Sequence, residues 1–186
     1  MATTLPPARR TTSYEELIVD ILVTKSLVFS VVGLESVGLG WIHRLTEHGF
    51  PTIGVPRSFM PTSLPSTDGH GLLHLSADHG EVSGGDVVLH CAPPRADDFE
   101  ALVPHLRRGQ VLFYPSALAM SHELKERLVA TAGQWGLAVG VDFFIFHGSI
   151  APGKATDFSE VSGVTEVCDR VGRAIHEKIL QRLLAR

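Results

Sequence analysis

Between Leu27 and Val55 the chain passes through an apolar segment, a glycine turn, a stretch with helical spacing and a second apolar segment. No other feature narrows the fold as much, because two strands joined by a helix over this distance lie parallel and side by side. Leu27 to Val32 reads as the first strand, Val37 to His48 as the crossover helix ended by Gly49, and Thr52 to Val55 as the second strand after Pro51. The turn itself, Val31-Val32-Gly33-Leu34-Glu35-Ser36-Val37-Gly38, has the layout of a dinucleotide-binding fingerprint with a glutamate at the middle glycine.

The same alternation continues downstream. Leu72 to Leu75, Asp86 to Cys91, Val111 to Tyr114, Val141 to Phe146 and Glu160 to Val164 read as strands. Ala96 to Leu106 and Ser121 to Trp135 read as helices, the second capped by Ser121. Most of these strands are apolar on both faces, which requires helices on both sides of a parallel sheet. The fold class predicted is α/β: a Rossmann-like doubly wound parallel sheet with helices on both faces. Residues 1–12 read as a disordered leader, and 13–186 as a single domain that begins with a short helix from Ser13 to about Val23. A last helix, Thr165 to Leu184, carries Val167, Val171, Ile175, Ile179 and Leu183 on one stripe, suited to packing on its own sheet or to pairing with a second copy as a homodimer.

Composition excludes several classes. The formal net charge is −4 and Lys and Arg are scattered, so no basic footprint for nucleic acid is present. No apolar run has the length to span a bilayer, and the polar first residues lack the apolar core of a secretory signal. Cys91 and Cys168 are the only cysteines, which points to a reducing, cytoplasmic setting rather than a disulfide framework. His70, His74 and His79 invite a metal, but glycines flank them and no cysteine or paired-histidine motif supports one, so none is expected.

Several short motifs in order resemble the N-terminal NAD-binding domain of the UDP-glucose/GDP-mannose dehydrogenases, in particular the UDP-N-acetylhexosamine branch. They include Tyr14-Glu15-Glu16-Leu17, the turn from Val31 to Leu39, Gly85-Asp86-Val87-Val88 with Ala92-Pro93, and Pro104-His105-Leu106-Arg107-Arg108-Gly109-Gln110. Gly136-Leu137 with Asp142-Phe143-Phe144, Pro152-Gly153-Lys154-Ala155 and Gly163-Val164-Thr165 extend the resemblance to about Ile179. It implies a Rossmann domain that is truncated, because the family's catalytic cysteine, lysine and sugar-nucleotide site lie in a further half. It also implies a degenerate cofactor motif. The family's threonine has at best Ser116 as a stand-in, and Tyr114-Pro115-Ser116 replaces its segment at that strand end.

Gly33 and Gly38 remain as cofactor-binding candidates. At the end of the second strand the ribose-gripping acid is replaced by Pro56, followed by Arg57 and Ser58, which suit the 2′-phosphate of NADP. Glu35 argues the other way, since a carboxylate in a partly dry site beside two phosphates is strongly unfavourable. No cofactor is therefore favoured, with NADP kept open. Strand ends bring Glu35, His90, Tyr114, Ser116 and His147 toward one mouth, as general acid/base candidates for a small-molecule substrate. The leading expectation is a small cofactor-independent acid/base enzyme of lyase, cyclase or isomerase type in a specialised biosynthetic pathway. The alternatives are an NADPH-dependent reductase and a non-catalytic dimeric accessory protein.

Overall fold

The computed structural model describes residues 27–57, 71–91, 96–115, 121–148 and 158–160. Strands β1 (Phe29–Val32), β2 (Thr52–Val55), β3 (Leu73–Leu75), β4 (Val87–His90), β5 (Val111–Pro115), β6 (Phe144–Gly148) and β7 (Phe158–Glu160) form one sheet in the order β3-β2-β1-β4-β5-β6-β7. The first six are parallel, and β7 pairs antiparallel with β6. This is the Rossmann-like α/β fold expected, with an antiparallel edge strand added. The 1–12 leader, the helix from Ser13, and the Thr165–Leu184 helix with its dimer expectation lie outside the described residues. Among those described, no helix is long and apolar enough to cross a membrane.

Strand alternation divides the core in two. Phe29 and Val31, Val87 and Leu89, Val111 and Phe113, and Phe144 and Phe146 share one cluster with Trp41, Ile42 and Leu45 of helix α1 (Ser36–Glu47), which packs over β1 and β2. Val32, Val88, Leu112, Tyr114 and Ile145 face the opposite way, toward Phe99 and Leu102 of α2 (Ala96–Leu102) and Leu128 and Ala132 of α3 (His122–Gln134). Each fully buried Leu, Ile or Phe contributes roughly 1.5–3 kcal/mol relative to exposure, so apolar burial on the two faces of β4 and β5 is the main stabilising term. Ser121 caps α3 by accepting from the Leu124 amide at 3.2 Å, as its position before the apolar stripe predicts.

Several boundaries differ from the sequence expectation: β1 starts at Phe29 rather than Leu27, the strand expected from Glu160 is seen at Phe158–Glu160, and two others shift for local reasons. The helix expected to reach Leu106 stops at Leu102 and tightens into a 3-10 turn, Val103–His105, with Pro104 in its first positions. Proline cannot donate to the helical ladder and disfavours helical geometry in the residue before it. Strand β6 begins at Phe144 rather than Val141, because Gly140 takes φ 82° and the Ala138 amide donates to the Asp142 carboxylate at 2.9 Å, closing a turn. Val141 is left 61% exposed, so its apolar character does not report burial. A 3-10 turn at His79–Gly84, capped by Asp78 accepting from Gly80, was not legible beforehand.

The amino-terminal edge of the sheet is stitched by polar side chains. Fully buried Gln110 donates to the carbonyls of Val82 and Gly85 at 2.9 and 2.7 Å and accepts from the Arg107 amide at 2.7 Å. Asp86 accepts from the Val28 amide at 3.1 Å and pairs with Arg107 at 3.1 Å. The Gln110→Leu variant removes three hydrogen bonds and takes the acceptor from the Arg107 amide, while the Val82 carbonyl keeps Ser30 and the Gly85 carbonyl keeps Arg107; it should lose about 2 kcal/mol in urea unfolding. A loss below about 1 kcal/mol would show that this clasp is dispensable.

Candidate functional site

In the order β3-β2-β1-β4, the chain reverses direction across the sheet between β1 and β4, and the crevice beyond their carboxyl ends is the place where this architecture binds ligands. Gly33 lies there with φ 90°, a conformation that L side chains rarely adopt, and its amide donates to the Val55 carbonyl at 2.9 Å. The Cys91 amide donates to the Val32 carbonyl at 2.8 Å, so the turn is tied to β2 on one side and β4 on the other. Gly38 sits where an added Cβ would come within 1.8 Å of the Gly33 carbonyl oxygen. The first and third glycines of the fingerprint are thus both required by the backbone itself.

Glu35 occupies the position before α1 with φ −73° and ψ −173°, a conformation open to any residue, and its side chain makes no capping hydrogen bond. It is exposed, which corrects the expectation that this carboxylate is partly withdrawn from water. Its charge still reaches Cys91: after burial, it is the second cause that pushes the Cys91 thiol up. Cys91 is therefore a protonated thiol, in keeping with a small apolar side chain rather than a nucleophile.

His90 ends β4 and Tyr114 stands one residue before the end of β5 on the same face, their rings 4.9 Å apart and tilted by 47°. They do not open on the mouth. His90 is 2% exposed and Tyr114 wholly buried, with burial first and the Asp98 charge second pushing the phenol pKa up. The Tyr114 hydroxyl is thus a donor at any ordinary pH and not a base. His147 lies on β6 with Tyr114 as its Cα partner on one side and Ser159 on the other. Ser58 and Ser116 lie outside the described residues, as does His70.

Arg57, two residues past β2, is held by Asp98 of α2. Its Nε and Nη2 donate to Asp98 Oδ1 at 3.1 and 2.9 Å, and Nη2 also lies 2.9 Å from Oδ2. Beside the pair is a small cavity of about 40 Å³ lined by Val32, Arg57, His79, His90, Asp98, Ala101 and Leu102, large enough for a water. His79 reaches the Pro56 carbonyl through Nε2 at 3.1 Å, whereas His74 is exposed on β3. Sequence reasoning missed Asp98. Its only signal is membership of an acidic first helical turn, which reads as dipole compensation.

No family model matches the chain, and no curated protein matches it in sequence. Solved structures match in fold. An NDP-N-acetyl-D-galactosaminuronic acid dehydrogenase from Methanosarcina mazei Go1 superposes with a TM-score of 0.64 at 14% identity, over 89% of this chain and 44% of that one. A GDP-mannose dehydrogenase from Pseudomonas aeruginosa gives 0.62 at 15%, over 84% and 44%. A reductive aminase from Aspergillus terreus, solved with NADPH, gives 0.55 at 14%, over 86% and 53%. The chain spans about half the length of these proteins, and the likeness establishes a Rossmann-like α/β fold.

Gly38→Ala should lose about 2 kcal/mol or more of stability in denaturant unfolding, because the collision is with backbone and not with a flexible side chain. In a Cys168→Ser background, Cys91 should react with iodoacetamide at pH 8 far more slowly than free cysteine. Glu35→Gln should raise that rate only slightly, since burial is the larger cause.

Proposed function

We propose that the chain is the dinucleotide-binding domain of an NAD(P)-dependent oxidoreductase. The observation that carries this reading is the Gly33–Gly38 turn, in which the left-handed glycine and the close helix seat are both kept at the point where strand order reverses. The likeness to dehydrogenase and reductase structures supports it. It replaces the cofactor-free expectation for a physical reason. At about 4 Å, two unit charges repel by roughly 1 kcal/mol in water but about 4 kcal/mol in a semi-buried site. Glu35 is exposed, so it weakens phosphate binding without forbidding it.

Backbone amides from Leu34 to Ser36 would cradle the phosphates at the start of α1, and Pro56 and Arg57 would flank the adenosine ribose. A nicotinamide dinucleotide supplies hydride-transfer chemistry when bound. The acid/base alternative, Glu35 with His90, Tyr114 or His147, has less support at His90 and Tyr114, whose side chains are buried.

Fluorescence titration with NADH and NADPH tests the reading. Saturable binding is expected in the wild type, tightened about tenfold by Glu35→Gly and nearly as much by Glu35→Gln, which removes the charge but keeps the bulk. A wild type and both variants that saturate with neither dinucleotide would discard the proposal.

A further inference from the structure

The end of β2 lacks the acid that holds the ribose hydroxyls of NAD, and it carries Arg57, which by itself would favour a 2′-phosphate. The structure adds a carboxylate from elsewhere. Asp98 projects from α2 and meets the guanidinium with both oxygens at 2.9 Å, in a pair whose side chains are only 28% and 17% exposed. A guanidinium bound on two donors by a carboxylate is locally neutral, and a dianionic 2′-phosphate arriving there meets Asp98 as well as Arg57. A 2′-hydroxyl, by contrast, can donate to that same carboxylate.

Resting on the dinucleotide reading above, we infer that Asp98 is a specificity-determining residue: it withholds the Arg57 charge from a 2′-phosphate and tilts the site toward NADH. The residue doing the work of the missing ribose acid comes from the helix after β4, not from the tip of β2. The geometry supports this placement, because the Val55 carbonyl that precedes Pro56 and Arg57 is hydrogen-bonded to the Gly33 amide of the phosphate turn. The cavity lined by Val32, Arg57, His90 and Asp98 lies directly beside the pair.

The experiment measures Kd for NADH and NADPH in the wild type, Asp98→Asn, Arg57→Met and the double variant. Wild type should bind NADH at least as tightly as NADPH, and Arg57→Met should alter the ratio by less than about threefold, since the guanidinium is already engaged. Asp98→Asn should swing the ratio toward NADPH by about tenfold, and the double variant should lose that gain. Asp98→Ser serves the same purpose if Asp98→Asn does not fold, with the thermal transition followed by circular dichroism in each case. Dinucleotide binding with a ratio unchanged within about twofold in both Asp98 variants, or a gain that survives loss of Arg57, overturns this inference while leaving the dinucleotide site intact. Failure of every protein, Glu35→Gly included, to bind either dinucleotide overturns both.

Discussion

The seat of helix α1 on the carbonyl of Gly33 is the constraint on which the rest of the molecule depends. Only a hydrogen fits between position 38 and that oxygen, and the left-handed φ at Gly33 turns the chain so that α1 starts where it does. From that seat Trp41, Ile42 and Leu45 reach Phe29, Val31 and Leu89, and one half of the core closes. The same seat leaves the first amides of the helix facing the crevice between β1 and β4. Fold and candidate site thus share a single cause.

Solvent exposure decides how the glutamate in that turn is read. A carboxylate in a dry cleft would repel a diphosphate by an amount that ends binding, whereas one in water costs about an order of magnitude in affinity. Glu35 belongs to the second case. Burial works in the opposite direction on the neighbouring protic groups: His90 and Tyr114 are enclosed, and Cys91 holds its proton. Among the described residues, the turn itself and the flank of β2 stay accessible at this edge.

Much of the architecture was legible because it depends on local pattern. The glycine spacing, the apolar runs of β1, β4 and β5, and the serine cap of α3 each fix an element from a handful of adjacent residues. Val141 misled, since an apolar residue in a glycine-bounded turn looks like the start of a strand. Pro104 could have shortened the preceding helix in advance, but its apolar neighbours outweighed it. The pairing of Arg57 with Asp98 spans 41 positions and two elements, so no local pattern contains it. The exposure of Glu35 was hidden for a related reason: accessibility belongs to the assembled crevice and not to the residue.

The polar clasp around Gln110 has a consequence for how this sheet can vary. Because Gln110, Asp86 and Arg107 fasten the approaches to β4 and β5 at the amino edge, strand alignment is anchored at the end away from the crevice. Connections leaving the opposite edge can then lengthen, shorten or change composition without the strands sliding past one another. A framework locked at its floor tolerates turnover at its rim, so new ligand preferences can be tried there with little risk to folding.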